Sequence, residues 1–159
     1  MQPRIEQLEK KKLIGHRLKM SVNYNRTGEL WGGFGPKIKE IKNRLSTDKI
    51  SMQVYDTSYH KNFDPANEFE KWAAVEVSNF NEVVGEMESF TLPAGQYAVF
   101  DYKGSSSDTR IFQYIFMKWL PNSEYQLDNR PHFEVLGEKY KNNDPTSEEE
   151  IWIPIKKSY

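Results

Sequence analysis

Two stretches of helical periodicity, far apart and each hemmed in by alternating segments, restrict this chain more than any other feature. Leu30, Phe34, Ile38, Ile41 and Leu45 follow the four-four-three-four spacing of one helix stripe. Ile111, Phe112, Ile115, Trp119 and Leu120 repeat the device and stop at Pro121. Gly32, Gly33 and Gly35 weaken the start of the first stripe, and Pro36 suits a first helical turn. The regular part is therefore expected at about 36–45, and the second helix, capped from Ser105-Ser106-Ser107, at about 107–120.

The segments between these helices have the period of strands. Residues 4–21 alternate and break near Lys10, while 50–58 and 71–78 alternate cleanly. Strand signals flank Pro93-Ala94-Gly95, and 132–140 and 150–157 complete the set around the polar loop Asn142-Asn143-Asp144-Pro145. Each half reads strand, helix, strand, strand. The expected fold is thus α+β, one domain over 1–159, with structural pseudo-repeats at about 1–80 and 85–159 and no sequence identity between them.

Composition narrows the function. Apolar residues make up 37% of the 159, below the usual share, yet aromatics reach 14%, so large rings supply buried surface and line something as well. With 22 basic against 23 acidic residues the chain carries no electrostatic footprint for nucleic acid. No cysteine is present, which excludes disulfides, thiolate zinc and a cysteine nucleophile. His16, His60 and His132 lie in separate elements without ligand spacing, so neither a metal nor a cofactor is expected. No apolar run is long enough to span a membrane and no secretory leader is visible, which makes a cytoplasmic protein the expectation.

Strand alternation then selects candidate site residues. Phe133 and Val135 point one way while His132, Glu134 and Leu136 point the other, and Ile151, Ile153 and Ile155 oppose Trp152 and Pro154. If the aliphatic faces cover the helices, then Glu134, Trp152, Tyr55, Trp72 and Glu76 share the helix-free side, as a concave cleft of rings beside an acid. The plain reading of Glu134 is an exposed strand glutamate, and that of the tryptophans is packing. The functional reading is a partly buried carboxylate that attracts an organic cation together with ring faces. Gly104-Ser105-Ser106-Ser107 and Gly32-Gly33-Phe34-Gly35 lack the rest of a hydrolase elbow or a phosphate loop and are cap and turn chemistry.

Four runs in register carry a resemblance: Leu92-Pro93-Ala94-Gly95-Gln96-Tyr97-Ala98-Val99-Phe100, Lys118-Trp119-Leu120-Pro121-Asn122-Ser123, Pro131-His132-Phe133-Glu134-Val135 and Glu150-Ile151-Trp152-Ile153-Pro154-Ile155. The chain resembles, over essentially its whole length, the GyrI-like small-molecule-binding domain, which is also the effector-binding domain of bacterial AraC-type and MerR-type multidrug-responsive activators. The resemblance implies a duplicated fold with pseudo-twofold symmetry, in which an antiparallel sheet cups a central ligand groove and two helices cover the back. It implies that Glu134 is the acidic floor, that Trp152 is the aromatic of the last strand, and that Tyr97 lines the groove. Leu136 stands where the family often has a tyrosine, which removes a hydroxyl from the cleft.

The chain opens on its first strand with no helix-turn-helix before it, so a stand-alone member without direct nucleic-acid binding is expected. Three functions stay open. The first is a binding protein, sensor or sequestering, for amphipathic cationic or lipophilic aromatic small molecules. The second is a hydrolase of reactive electrophiles with Glu134 as general base. The third, implied by gyrase-inhibiting relatives, is capture of a protein partner.

Overall fold

The computed structural model describes residues 1–158. Within them nine strands and two short helices follow in the order β1 (Arg4–Leu8), β2 (Lys11–Ser21), α1 (Thr27–Phe34), β3 (Lys49–Val54), β4 (Glu68–Val77), β5 (Glu88–Leu92), β6 (Gly95–Lys103), α2 (Arg110–Tyr114), β7 (Tyr125–Leu127), β8 (His132–Leu136) and β9 (Glu148–Lys157). All pairings are antiparallel. The strands lie in the order β1-β6-β9-β8-β3-β4-β2-β5, with β7 added to β9. The break near Lys10 separates β1 from β2, and β7 has no counterpart in the sequence reading.

That order forces the sheet to curl. Only Pro93 and Ala94 link β5, at one end, to β6, next to the other end, and only Glu9 and Lys10 link β1 to β2. Two residues bridge at most about 11 Å, whereas six strand spacings in a flat sheet would need about 29 Å. The two edges must therefore approach one another. Leu8 of β1 and Leu92 of β5 accordingly share one apolar cluster with Leu13, Met52, Trp72, Tyr97 and Phe133. Gly15 serves this curvature by close approach: a Cβ there would stand 2.0 Å from the Ala73 carbonyl oxygen across the β2–β4 pairing.

Register assigns the faces. Trp72, Met52, Phe133 and Trp152 pair in succession across β4, β3, β8 and β9 and point into the curl. Ala73, Ser51, Glu134 and Ile151 pair in the same way and point outward. Ala73 belongs to the core beneath α1 and Ile151 to the core beneath α2, so both helices lie on the outer side. They cover separate cores. Ile38 and Ile41 pack with Ile14 and Val75, whereas Ile115 and Trp119 pack with Phe100 and Ile153. The two cores stay apart because β3 and β8 stand between the two helices.

The first helix is also corrected. The α-helical part is Thr27–Phe34, Pro36 opens a 3-10 turn over Gly35–Glu40, and Ile41 is already extended. The chain leaves the helix there to pair: Arg44 bridges to Val77, and the Leu45 amide donates to the Glu76 carbonyl at 3.0 Å. Those backbone bonds outweigh the continuing stripe, and Leu45 is left exposed. Leu30 and Phe34 bury fully enough to hold a glycine-rich helix that propensity disfavours. The second helix starts at Arg110 with Thr109 as its N-cap residue, and becomes a π-helical turn at Ile115–Trp119. No helix of the described residues is long and apolar enough to cross a membrane.

Candidate functional site

The outer face of β3 and β8, between the strands that α1 and α2 pack against, carries polar residues where both neighbouring cores are aliphatic. Ser51 and Gln53 of β3 lie beside Glu134 and His132 of β8. Ser51, Gln53 and His132 are each no more than 7% exposed. A polar row at this depth costs free energy unless its groups are satisfied by the protein or by a ligand. Glu134 has little help: Gln53 Nε2 donates to its Oε1 at 3.4 Å, and no cation of the described residues lies within ion-pair distance. Burial pushes its carboxyl up to about 7, with Glu149 adding to the rise, while Lys71 and the Gln53 bond oppose it. Burial also raises Glu149.

Rings close over the row. Tyr55, just past β3, lies 4.4 Å from Tyr59, 4.8 Å from His60, 5.3 Å from Phe69 and 4.9 Å from His132, centroid to centroid. His60 stacks on His132 at 5.1 Å and on Phe116 at 5.6 Å. Phe116 belongs to the π-helical turn, and such turns in helices recur at functional sites. The Tyr55 hydroxyl is driven well above the ordinary tyrosine range by burial and by Glu134, so it remains a neutral donor. Burial holds His132 down to about 3 and hence neutral at physiological pH. The assembly is thus one buried acid beside a cluster of neutral rings, a setting that favours a cationic aromatic guest.

The residues expected to share one cleft are divided between two faces. Glu134, Tyr55 and Leu136 belong to the outer, helix-bearing side, with Leu136 buried at the far end of β8. Trp152, Tyr97, Trp72 and Glu76 belong to the inner side. Trp72 and Tyr97 are core residues, 3% and 0% exposed, and the Tyr97 hydroxyl donates to the Pro131 carbonyl at 2.8 Å. Trp152 stacks on Phe133 at 5.1 Å and donates from Nε1 to Glu150 at 3.1 Å. Glu76 is ion-paired to Lys11 at 3.3 Å. The helix-free cleft is therefore corrected: the curl of the sheet fills that face with side chains.

Several residues of the cluster had no signal in the sequence reading. His60 and His132, read as isolated, are stacked. Tyr59, Phe69 and Phe116 come from a loop, a strand and a helix distant in sequence. Only parity could have found part of the row, since Ser51, Gln53 and His132 alternate in step with Glu134.

Comparison with known proteins agrees with this architecture. A family model described as Cass2, integron-associated effector binding protein, matches residues 4–155. The transcriptional regulator BrlR of Pseudomonas aeruginosa is 28% identical over 130 residues, which are 80% of this chain and 46% of that protein. The chain thus spans less than half the length of this relative. Among solved structures, SAV2435 bound to tetraphenylphosphonium superposes with a TM-score of 0.66 at 19% identity, covering 98% of this chain and 94% of the other. The C-terminal domain of EcmrR superposes with a TM-score of 0.74 at 17% identity, covering 99% and 98%. At such identities these likenesses establish the fold.

Proposed function

Since the chain belongs to the Cass2 family of integron-associated effector binding proteins, we propose that it binds amphipathic small molecules that carry positive charge on an aromatic framework, as a sensor or sequestering protein. The ligand lies in a groove between α1 and α2, with Glu134 as counter-ion on its floor and Tyr55, Tyr59, His60 and Phe116 as its walls. One observation carries this reading: a half-buried carboxyl, raised by desolvation and without an ion-pair partner among the described residues, set among neutral rings. A cation placed there supplies the charge that desolvated Glu134 lacks and gains ring faces at the same time. Tetraphenylphosphonium, held by the structurally similar SAV2435, has this chemistry.

The groove follows from duplication. The strand order is palindromic, with β3 and β8 at its centre. Each side of the sheet repeats one device on the inner face: Trp72 donates to Glu70, which meets Arg17, and Trp152 donates to Glu150, which meets Arg4 of β1. These repeats support pseudo-twofold halves at about 1–80 and 85–159 that exchange their edge strands β1 and β5, within a single domain whose axis passes between the helices.

Calorimetric titration across pH tests the proposal. Affinity for tetraphenylphosphonium is expected to rise roughly tenfold per pH unit below the Glu134 pKa and to level off above it, because only the ionised carboxylate attracts the cation. Neutral triphenylphosphine oxide should show a flat profile. His132 and Tyr55 stay neutral in this window, and a Glu149→Gln variant separates the contribution of the second raised acid. Parallel profiles for the two ligands would remove Glu134 as counter-ion.

A further inference from the structure

Beside Tyr55 the surface opens into a cleft of about 620 Å³ between the β3–β4 loop and the β7–β9 end of the sheet. Glu134 is not among its walls. The walls instead include Tyr55, His60, Tyr125 and His132 together with Lys61, Arg130 and Lys156. We propose that this cleft is a second subsite, which shares Tyr55, His60 and His132 with the ring cluster over Glu134 and takes a planar aromatic anion such as an aromatic carboxylate or sulfonate.

Three observations converge on that class. The first is charge. The two acids of the cleft are already engaged: Asp128 accepts from Arg130 Nε and from the Asn129 amide, both at 2.9 Å, and Asp56 accepts from the Ser58 hydroxyl at 2.8 Å and its amide at 2.9 Å. Lys61, Arg130 and Lys156 against Asp56 and Asp128 leave the cleft with one positive charge in excess, and Lys61 and Lys156 make no ion pair among the described residues. The second is a directional anchor. His132 is 6% exposed, lines the cleft, and makes no side-chain hydrogen bond among the described residues. A neutral imidazole carries one donor and one acceptor, and both stay open to a guest. The third is ring surface: the exposed His60, stacked on His132, offers an aromatic edge to a flat molecule, while Tyr125 is already taken up by Trp119 at 6.3 Å and by the Lys157 ammonium at 5.2 Å. The volume suits one small molecule. Arg130 fixes this wall, since its guanidinium donates to the Gln96 and Ile155 carbonyls at 2.7 and 3.1 Å while lying 4.7 Å above the Tyr97 ring.

Naphthalene-2-sulfonate titrated into the intact protein at low ionic strength tests this site independently of the cation reading. Wild type is expected to bind it, and the Lys61→Glu/Lys156→Glu double variant to bind it about tenfold more weakly, an effect that shrinks in high salt. Both lysines are exposed, so these substitutions leave the core intact. A Lys37→Glu/Lys39→Glu variant has the same change in net charge on the exposed 3-10 turn and should bind like wild type. Absence of sulfonate binding at millimolar concentration, or equal losses in the two double variants, would each overturn the second site. Both outcomes leave the Glu134 reading standing, because that rests on the cation's own pH profile.

Discussion

Replacing Phe133 by alanine is expected to lower stability by about 3–5 kcal/mol, measured as a fall in the urea midpoint, while protein that remains folded keeps its affinity for tetraphenylphosphonium. Phe133 is 1% exposed inside the curl, with the rings of Tyr97 and Trp152 at 5.2 and 5.1 Å. Its removal leaves a cavity that neighbouring strands cannot close, because register ties it to Met52 on one side and Trp152 on the other. The contrast is Tyr55→Ala, which removes a half-buried ring from the outer cluster and should weaken the cation far more than it weakens the fold. The opposite pattern, ligand loss in Phe133→Ala with an unchanged midpoint, would make the inner face the ligand face.

Glu134→Gln should stabilise the protein at pH 8 by about 2–3 kcal/mol and have little effect at pH 4. The direction follows from linkage. The folded protein holds the carboxyl near 7, whereas the unfolded chain titrates it at the ordinary 4.5. Between these values the folded state binds more protons, so wild-type stability falls as pH rises through that window and is fully lowered above it. Glutamine keeps the shape and a possible bond to Gln53 without the buried charge. Thermal melts at the two pH values read the difference directly, and a variant that melts lower than wild type at pH 8 would mean that the protein already compensates the charge. A stabilising substitution that abolishes function is the trade expected of a binding residue.

Much of the fold was legible because strands announce themselves by parity. Ile151, Ile153 and Ile155 share one face as their spacing says, and the tetrad Leu30, Phe34, Ile38 and Ile41 reaches one core even though the backbone between them changes from α to 3-10 to extended. What parity cannot supply is which face of one strand meets which face of the next. Phe133 and Ile151 both sit in apolar alternations, and assigning both to the helix side put Glu134 beside Trp152. Register instead pairs Phe133 with Trp152 and Glu134 with Ile151. The error has a physical origin: a sheet that curls onto itself has apolar side chains on both faces, so hydrophobicity alone does not mark the side that the helices cover. Glu134 and Tyr55 were found because an acid and a ring stand out in such strands. His60, Tyr59 and Phe116 were not, since their contacts depend on a loop path and a π-helical turn that local sequence does not encode.

The most direct measurement is a crystal structure of this protein with tetraphenylphosphonium bound. The cation is expected on the outer face between α1 and α2, with its phosphorus within about 6 Å of the Tyr55 ring and facing the Glu134 carboxylate. A cation lodged against Trp152 on the inner face, or seated beside Lys61 and Lys156 without approaching Glu134, would contradict the account.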